Sequence, residues 1–595
     1  MATREQDEGL ETTDVIICGC GPTGALLSAL LGRMSVKNVV LEKEKDIVTD
    51  PRGIALDEDG IRLLQEIGLY EQIYGEIGQH IGWTLFTSGK HGLMTKPFMK
   101  MNLNSTEGGT GHVAAIAHKQ PVMEKHLRMA ASSCPSSQLW LGSTIVDIEE
   151  NEDSVQAQYI DNNGTQSTIR GKFFVGADGK TGFTRKRYLE PKGVLLQTLS
   201  GYEYQETWVA MNWHMNLPTP ETHPGFPLWK LNYTPEQVYD KFFPPNFRFI
   251  GNPERPSVCG SFGPRSERLW RFEFVVDQGE DPQEMATWEK TSEIVLPYLT
   301  HPGAYYGDAS GIAWRLALAC RPDFDGSFET LFNGWFLERK QQLDHSLAAT
   351  VANGNLTTAR NPAKIFFRDW ILWLMQLVPS SRHKLELGPR VYGMNRYAFN
   401  TGMAFLPDLA GGRCFPQVYC CPAFPLTSDL VTNVRFTDDV FFSDPSSNAL
   451  LRLIVVVDDL EQAEKAWLEL KTLDLGKASN NEVPKDSAFF LIHSPVLENR
   501  PASTSSDVPQ QSVYRIATGD EFAVSDLCRN RPYPTGYDMY RIKKDMGGRK
   551  YVLVRPDRFV YAACHTGAEL IVACERIPRT LCGSSSTTRP RDSKL

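Results

Sequence analysis

Apolar and polar positions follow two rhythms along this chain, and the switches between them mark out its elements. The unbroken apolar run Val15-Ile16-Ile17-Cys18 predicts a short strand buried on both faces of a parallel sheet. From about Pro22 to Met34 the apolar residues fall at helical spacing, and Asn38 to Leu41 predicts a second strand ending on Glu42. Ile61, Leu64 and Ile67 give a helix over about 57–67 its apolar face. Alternation from about Ser143 to Arg170 predicts strands, turned at Asn162-Asn163-Gly164. Phe173-Phe174-Val175 predicts a further buried strand that runs into Asp178-Gly179. The segment at about 200–300 is β-rich and aromatic (ETWVAMNWHMNLPTP, FRFIG, LWRFEFVV), which suits a mostly antiparallel sheet walling an aromatic pocket. Residues 351–402 read as a helical, aromatic connector (FFRDWILWLMQLV). From about Met403, strand signals (LLRLIVVVDD, RKYVLVRPDRFVYAA) alternate with helix and polar loops.

The expected architecture is therefore α/β: a Rossmann-type domain over 14–350 with a β-rich insertion at about 200–300, and a second α/β domain over 403–575. Residues 1–13 read as disordered and 576–595 as a flexible tail. Between the first strand and helix stand Gly19, Gly21 and Gly24 in G-x-G-x-x-G spacing. The first glycine permits the tight turn, the second lets backbone approach a pyrophosphate, and the third lets the helix pack closely on the strand. The helix aims its free N–H groups and the positive end of its dipole at that phosphate. Glu42 lies 18 residues beyond Gly24, close to the ~20 expected of a carboxylate that grips the adenosine ribose. Strand, turn, helix, second strand and acid together predict dinucleotide binding.

Composition narrows the class. At 595 residues the chain is too long for one core, and a formal net charge of −9 argues against nucleic acid or an anionic membrane as the main partner. No apolar run reaches the ~18 residues of a membrane span, and the polar start MATREQDEGLETTD is not a signal peptide. The 12 cysteines contain no C-x-x-C pair, which reads as reduced, buried thiols inside a cell. The histidines show no zinc-like clustering, so no metal is expected. The chain ends Ser593-Lys594-Leu595, the tripeptide address for peroxisomal import, and a peroxisomal location is expected, with the cytoplasm as the alternative.

After the dinucleotide turn, the segment PRGIALDEDGIRLLQEIGL resembles the FAD-dependent aromatic hydroxylases of the p-hydroxybenzoate and phenol hydroxylase type. The resemblance implies that Arg52 contacts the flavin side of the active site. Gln120 to Arg128 (QPVMEKHLR) is similar to the family helix "QPxLExxLR", whose Gln contacts FAD, with Met123 a volume-conserving replacement for Leu. Gly176-Ala177-Asp178-Gly179 resembles the family's "GADG", which serves the FAD pyrophosphate region and the transient NAD(P)H. The implied cofactor-binding residues are Gly19, Gly21, Thr23, Gly24, Glu42, Arg52, Gln120, Asp178 and Gly179. Trp213, His214 and Arg271 are candidates to face a substrate, and no catalytic residue is singled out. RPDRFV resembles the carboxyl-terminal thioredoxin-like domain of the phenol hydroxylase branch; lacking C-x-x-C, that domain is expected to be structural or to form a homodimer.

One departure stands out. The family's third motif, "GDAAHxxPPxxGQGxxxGxxDAxxLAWKLA", supplies an Asp to the ribityl chain and a loop over the isoalloxazine. Here Gly307-Asp308-Ala309 is followed by Ser310 to Leu318, which matches only the motif's end, so the ribityl Asp and the "GQG" loop are expected to be missing. The resemblance implies a monooxygenase that hydroxylates a small phenolic substrate with NAD(P)H and O2. The alternatives are an impaired homologue with a nucleotide-binding or dimerising role, and an NAD-dependent dehydrogenase.

Overall fold

The computed structural model describes residues 11–49, 53–87, 93, 96–196, 206–224, 229, 232–243, 246–296, 316, 318–320, 331–342, 361–388, 390, 393–424, 433–442, 450–484, 488–495 and 508–581. Pro51-Arg52, Gly307 to Arg315 and Ser593-Lys594-Leu595 lie outside them.

A parallel sheet in the order Phe173–Gly176, Val15–Cys18, Asn38–Glu42, Ser137–Leu141 forms the heart of the amino-terminal half. Its two central strands are buried at every position, as their apolar runs require. The helices Pro22–Arg33 and Gln120–Ser132 pack together on it and bury Leu27, Leu30, Met123 and Leu127 in one core. Asp57 starts the helix Glu58–Glu66 by accepting the Gly60 N–H at 2.8 Å. An antiparallel set, Thr144–Glu150, Val155–Ile160 and Gln166–Gly171, forms a second sheet at its side. Glu11–Thr12 extends that sheet by pairing in parallel with Ile169 and Arg170, so the expectation of disorder through residue 13 is corrected there. The backbone of Gln166–Gly171 offered an open edge, and the amino-terminal segment fills it.

The β-rich insertion becomes a six-stranded sheet in the order Trp208–His214, Leu269–Val275, Ser257–Phe262, Phe247–Ile250, Trp83–Thr87, Met99–Asn102. Its last two strands come from residues 83–102, far upstream of the insertion, and Phe247–Ile250 joins them in parallel. One face carries Trp270, Phe272 and Phe274 into a closed aromatic core. The other packs on the small sheet Ala55–Asp57, Ala115–His118, Gly78–His80 through Phe247, Phe262, Ala115 and Ala117.

The carboxyl-terminal half is a seven-stranded mixed sheet in the order Arg435–Phe436, Tyr419–Pro422, Val513–Ile516, Phe489–Ile492, Arg452–Val457, Tyr551–Val554, Val560–Cys564. The unit Arg452–Val457, helix Leu460–Thr472, Phe489–Ile492 is a parallel crossover, and two antiparallel strands followed by the helix Gly567–Glu575 complete it. Ile577–Leu581 is helical, with Ile577 and Leu581 buried in this domain's core, so the expected flexible tail is corrected over those residues. Helices Pro362–Leu377 and Pro379–Leu387 fall within the expected connector. No helix among the described residues is long and apolar enough to cross a membrane.

Ion pairs away from water join the two halves. Arg62 donates from Nε and Nη2 to the two oxygens of Asp438 at 2.7 and 2.8 Å, and Arg558 donates to Asp438 at 2.9 Å. Burial works to raise the Asp438 carboxyl, but the two guanidinium groups overcome it and hold it below the ordinary carboxylate range. Because the folded value is depressed, the pair contributes stability above the unfolded carboxylate range and loses it as pH falls through the folded value. Gln65 donates to Asp439 at 2.6 Å, and Tyr419 donates to the Gly111 carbonyl at 2.7 Å, widening the seam. Asp438→Asn leaves the buried Arg62 without its carboxylate and Arg558 with Glu66 alone at 3.3 Å, and is expected to cost about 3–5 kcal/mol. The check is a lower midpoint of urea unfolding at unchanged slope.

Candidate functional site

The site starts from backbone that has no room for side chains. Gly19 sits at φ +97°, and a Cβ there would lie 2.8 Å from both the Ala177 carbonyl oxygen and the Asp178 Cα. A Cβ on Gly24 would come within 2.0 Å of the Gly19 carbonyl oxygen. The strand, the turn and the first helix therefore approach one another more closely than any other residue type allows. At Gly21 nothing lies within 4 Å of such an atom, so the face where an anion would meet the helix N-terminus is open. Thr23 is exposed in the first turn of that helix.

Glu42, at the end of the neighbouring strand, is buried, and its carboxylate reaches back to the turn. It accepts the Cys20 N–H at 2.6 Å and the Glu44 N–H at 2.8 Å. Burial pushes the Cys20 thiol up to about 12, so it is an uncharged filler beneath the turn. Two turns into its helix, Arg128 donates to Glu124 at 2.7 Å; both side chains are mostly buried, and their charges act on Cys20 along with that of Glu42. Burial raises the Glu124 carboxyl against the pull of Arg128. The QPVMEKHLR motif implies a role for Gln120 alone, and the pairing of Glu124 with Arg128 is evident only in the folded helix.

Gln120 opens that helix, and its Oε1 accepts the Gly53 N–H at 2.7 Å. This anchors the segment that follows Arg52, whose own position lies outside the described residues. Asp178 stands just past the end of its strand, next to Gly19, and accepts the Thr184 N–H at 2.8 Å. Gly179 beside it adopts φ +80° with open space around its Cα. Gly19, Gly21, Gly24, Glu42, Asp178 and Gly179 thus gather at the carboxyl ends of the parallel strands, where α/β folds collect ligands.

The substrate candidates divide between the faces of the six-stranded sheet. Arg271 is buried opposite Asn212, donating to its Oδ1 at 2.8 Å and to Glu273 at 3.3 Å. Burial raises the Glu273 carboxyl, with Arg271 opposing it. His118, missed in the sequence, has its Nδ1 buried without a hydrogen-bond partner. Burial, with Arg271 adding to it, lowers His118 to about 4, so the ring is neutral above that pH. A Cβ on Gly53 would lie 4.0 Å from this ring and 3.6 Å from Gln120 Oε1, so His118 belongs beside the Gln120 anchor. His214 is exposed and pairs with Leu269 on the edge strand. Trp213 points the other way, onto Trp270 at 5.6 Å and Trp288 at 6.1 Å between ring centroids. Strand alternation forces this: Trp213 takes the opposite face from Asn212 and His214. Among the described residues no cluster of His, Cys, Asp and Glu is placed to hold a metal ion.

Residues 12–304 match a family model described as an FAD binding domain. A probable NADH-specific resorcinol 4-hydroxylase of Rhodococcus jostii is 25% identical over 293 residues, 49% of this chain and 48% of that protein. A 3-(3-hydroxy-phenyl)propionate/3-hydroxycinnamic acid hydroxylase of Paraburkholderia xenovorans is 24% identical over 442 residues, 67% of this chain and 63% of that one. The chain spans about half the length of most of the curated relatives it matches. Among solved structures, aklavinone-11 hydroxylase in a ternary complex with FAD and aklavinone superposes with TM-score 0.61 at 14% identity, covering 96% of this chain and 99% of that one. The flavin-dependent monooxygenase PieE in complex with FAD and substrate gives 0.60 at 15%, with the same coverage. At such identity these structures establish the fold.

The cradle fits FAD: glycines where side chains would collide, an open face at Gly21 and an acid at the second strand's end. Replacing Glu42 with Ala removes a charged hydrogen-bond acceptor worth about 1.5–3 kcal/mol, so FAD affinity should fall about 10- to 100-fold. Quenching of flavin fluorescence on titration with the variant measures this, and unchanged affinity would remove Glu42 from the cradle.

Proposed function

We propose that this chain, whose residues 12–304 match the FAD binding domain model, is an FAD-dependent monooxygenase that hydroxylates a phenolic substrate with NAD(P)H and O2. The observation that carries the reading is the meeting of the glycine turn, Glu42 and Asp178 at one sheet end, with a polar group of Arg271, Asn212, Glu273 and His118 on the adjoining sheets. The curated relatives named for resorcinol and hydroxyphenylpropionate support a phenolic substrate class, and the one named as NADH-specific supports a nicotinamide reductant.

FAD, when bound, supplies the redox chemistry that activates oxygen for transfer to an electron-rich ring. The chain's own residues do the rest. The glycine turn and the helix N-terminus would hold the pyrophosphate, and Glu42 would accept from the adenosine ribose. Gln120 fixes the backbone at Gly53, which would stand beside the flavin. Arg271 presents positive charge that favours the phenolate, the form whose ring is most reactive. His118, uncharged, offers a hydrogen-bond acceptor for the phenolic proton. In the carboxyl-terminal half, the order of the crossover and the two antiparallel strands supports a thioredoxin-like domain with a structural role.

A second reading rests on one observation: the family match ends at residue 304, and Ser310 to Leu318 carries only the last part of the flavin-covering motif. Of that part the structure describes Leu316 and Leu318–Cys320; Leu316 is buried with the dinucleotide helices, and Leu318 and Ala319 with the carboxyl-terminal core. A chain without the covering loop would bind FAD yet release reduced oxygen as peroxide. One measurement separates the two. A yellow purified protein absorbing near ~450 nm should consume NAD(P)H and O2 faster when a phenol is added, with hydroxylated product equal to O2 used. Peroxide in place of product selects the second reading, and a colourless protein that FAD cannot reconstitute overturns both. In the coupled enzyme, Arg271→Met should lower kcat/KM for the phenol about 10- to 100-fold, the loss of one charged hydrogen bond, while FAD affinity holds.

A further inference from the structure

The six-stranded sheet carries a second polar group, on the face turned away from Arg271. Arg248, in the strand Phe247–Ile250, shares that face with Ile250 and Cys259, both members of the aromatic core. It is 9% exposed, yet its Nε and Nη1 are buried without a hydrogen-bond partner. Its one titratable neighbour among the described residues is the Cys259 thiol, which burial keeps protonated, so no carboxylate there balances the guanidinium. Burial lowers Arg248 to about 10, and the side chain stays a cation at neutral pH.

Three more buried donors beside it lack an acceptor: Ser261 Oγ, Trp270 Nε1 and Tyr239 Oη. Ser261 stands across from Trp270 and diagonally across from Arg248, within reach of a long side chain. Tyr239 belongs to the helix Pro235–Phe242 and stacks on Phe243 at 5.5 Å; Phe243 in turn meets Trp270 edge-on at 5.2 Å between centroids. Tyr239 and Ser261 line an open cavity of about 260 Å³, its mouth included, together with Phe243, Phe262, Leu269 and Arg268. Arg265, also at this cavity, pairs with Asp240 at 2.5 Å, while Arg268 donates to the Met215 and Ser266 carbonyls at 2.9 and 3.0 Å. Buried donors are rarely left unpaired. Four together, one of them a cation, share a single want, which is an anionic oxygen.

We propose that this region binds a small aromatic acid at a site separate from the flavin-facing wall, with Arg248 as counter-charge to its carboxylate and Ser261, Trp270 and Tyr239 as further donors. A carboxylate has lone pairs enough for all of these donors. Tyr239, Phe243, Phe262 and Leu269 supply an apolar wall for the ring, which a bare inorganic anion would leave unused. Two guanidinium groups, Arg265 and Arg268, line the cavity against the single carboxylate of Asp240, a balance that draws anions. The site lies on the opposite face from Arg271, and its occupancy requires neither FAD nor turnover.

Calorimetric titration of the full chain with benzoate, up to about 10 mM, tests it. The wild-type chain should bind, and Arg248→Met should weaken that site about 10- to 100-fold, the loss of one charged hydrogen bond, while Arg271→Met keeps it. Arg248→Met should also raise the urea midpoint of the ligand-free chain, because it replaces a buried cation that has no counter-charge. That second measurement keeps a misfolded variant from passing as a weak binder. Absence of benzoate binding by the wild-type chain overturns the proposal. So does equal affinity in Arg248→Met, or a binding event lost in Arg271→Met instead. Binding of inorganic phosphate in place of benzoate assigns the cation to a bare oxyanion and overturns the aromatic acid. A lower urea midpoint in Arg248→Met shows that the guanidinium already has its counter-charge within the fold, and overturns the site.

Discussion

The nucleotide end of this molecule depends on two missing Cβ atoms. At Gly19 and Gly24 the strand, the turn and the helix come so close that a methyl group would strike the backbone at 2.8 Å and 2.0 Å. That approach holds the helix N-terminus against the end of the sheet, and it also brings Asp178 beside the turn from a strand more than 150 residues later. A substitution there would displace backbone, which cannot be relieved by a change of rotamer. Glu42 then ties the turn to the second strand through the Cys20 N–H, so the cradle is shaped before any ligand enters. Preorganisation of this kind lowers the ordering cost of binding.

Charge is arranged around that frame by burial as much as by contact. Glu124 and Arg128 neutralise each other beside the turn, and Cys20 stays a thiol. On the two adjoining sheets the Arg271 cation, beside the Phe262 ring, acts on the neutral His118 ring.

Much of this was legible in the sequence, where the signal is local. The turn, its flanking strand and helix, the acid at the next strand's end and the helix opened by Gln120 all follow from spacing within about forty residues or from one short motif. What escaped needed partners distant in sequence. Nothing near residues 83–102 announces that they complete the sheet of residues 208–275, because that pairing is fixed only when Phe247–Ile250 lies parallel to Trp83–Thr87. Trp213 and His214 are neighbours that face opposite ways, and only the register with Trp270 and Leu269 tells which is which. Glu11–Thr12 looked disordered because its composition is polar, yet the backbone alone suffices to join an open strand edge. His118 carries no motif and becomes noticeable only once Gly53 and Arg271 are near it.

Asp438, held between Arg62 and Arg558, shows that kinship and mechanics divide this polypeptide differently. The match to the FAD binding domain model ends at residue 304, yet the helix behind the Gly53 segment is held by a carboxylate more than a hundred residues further on. Cutting the molecule at residue 304 would strip that helix of its counter-charge, so the matched module and the smallest self-sufficient body are different objects.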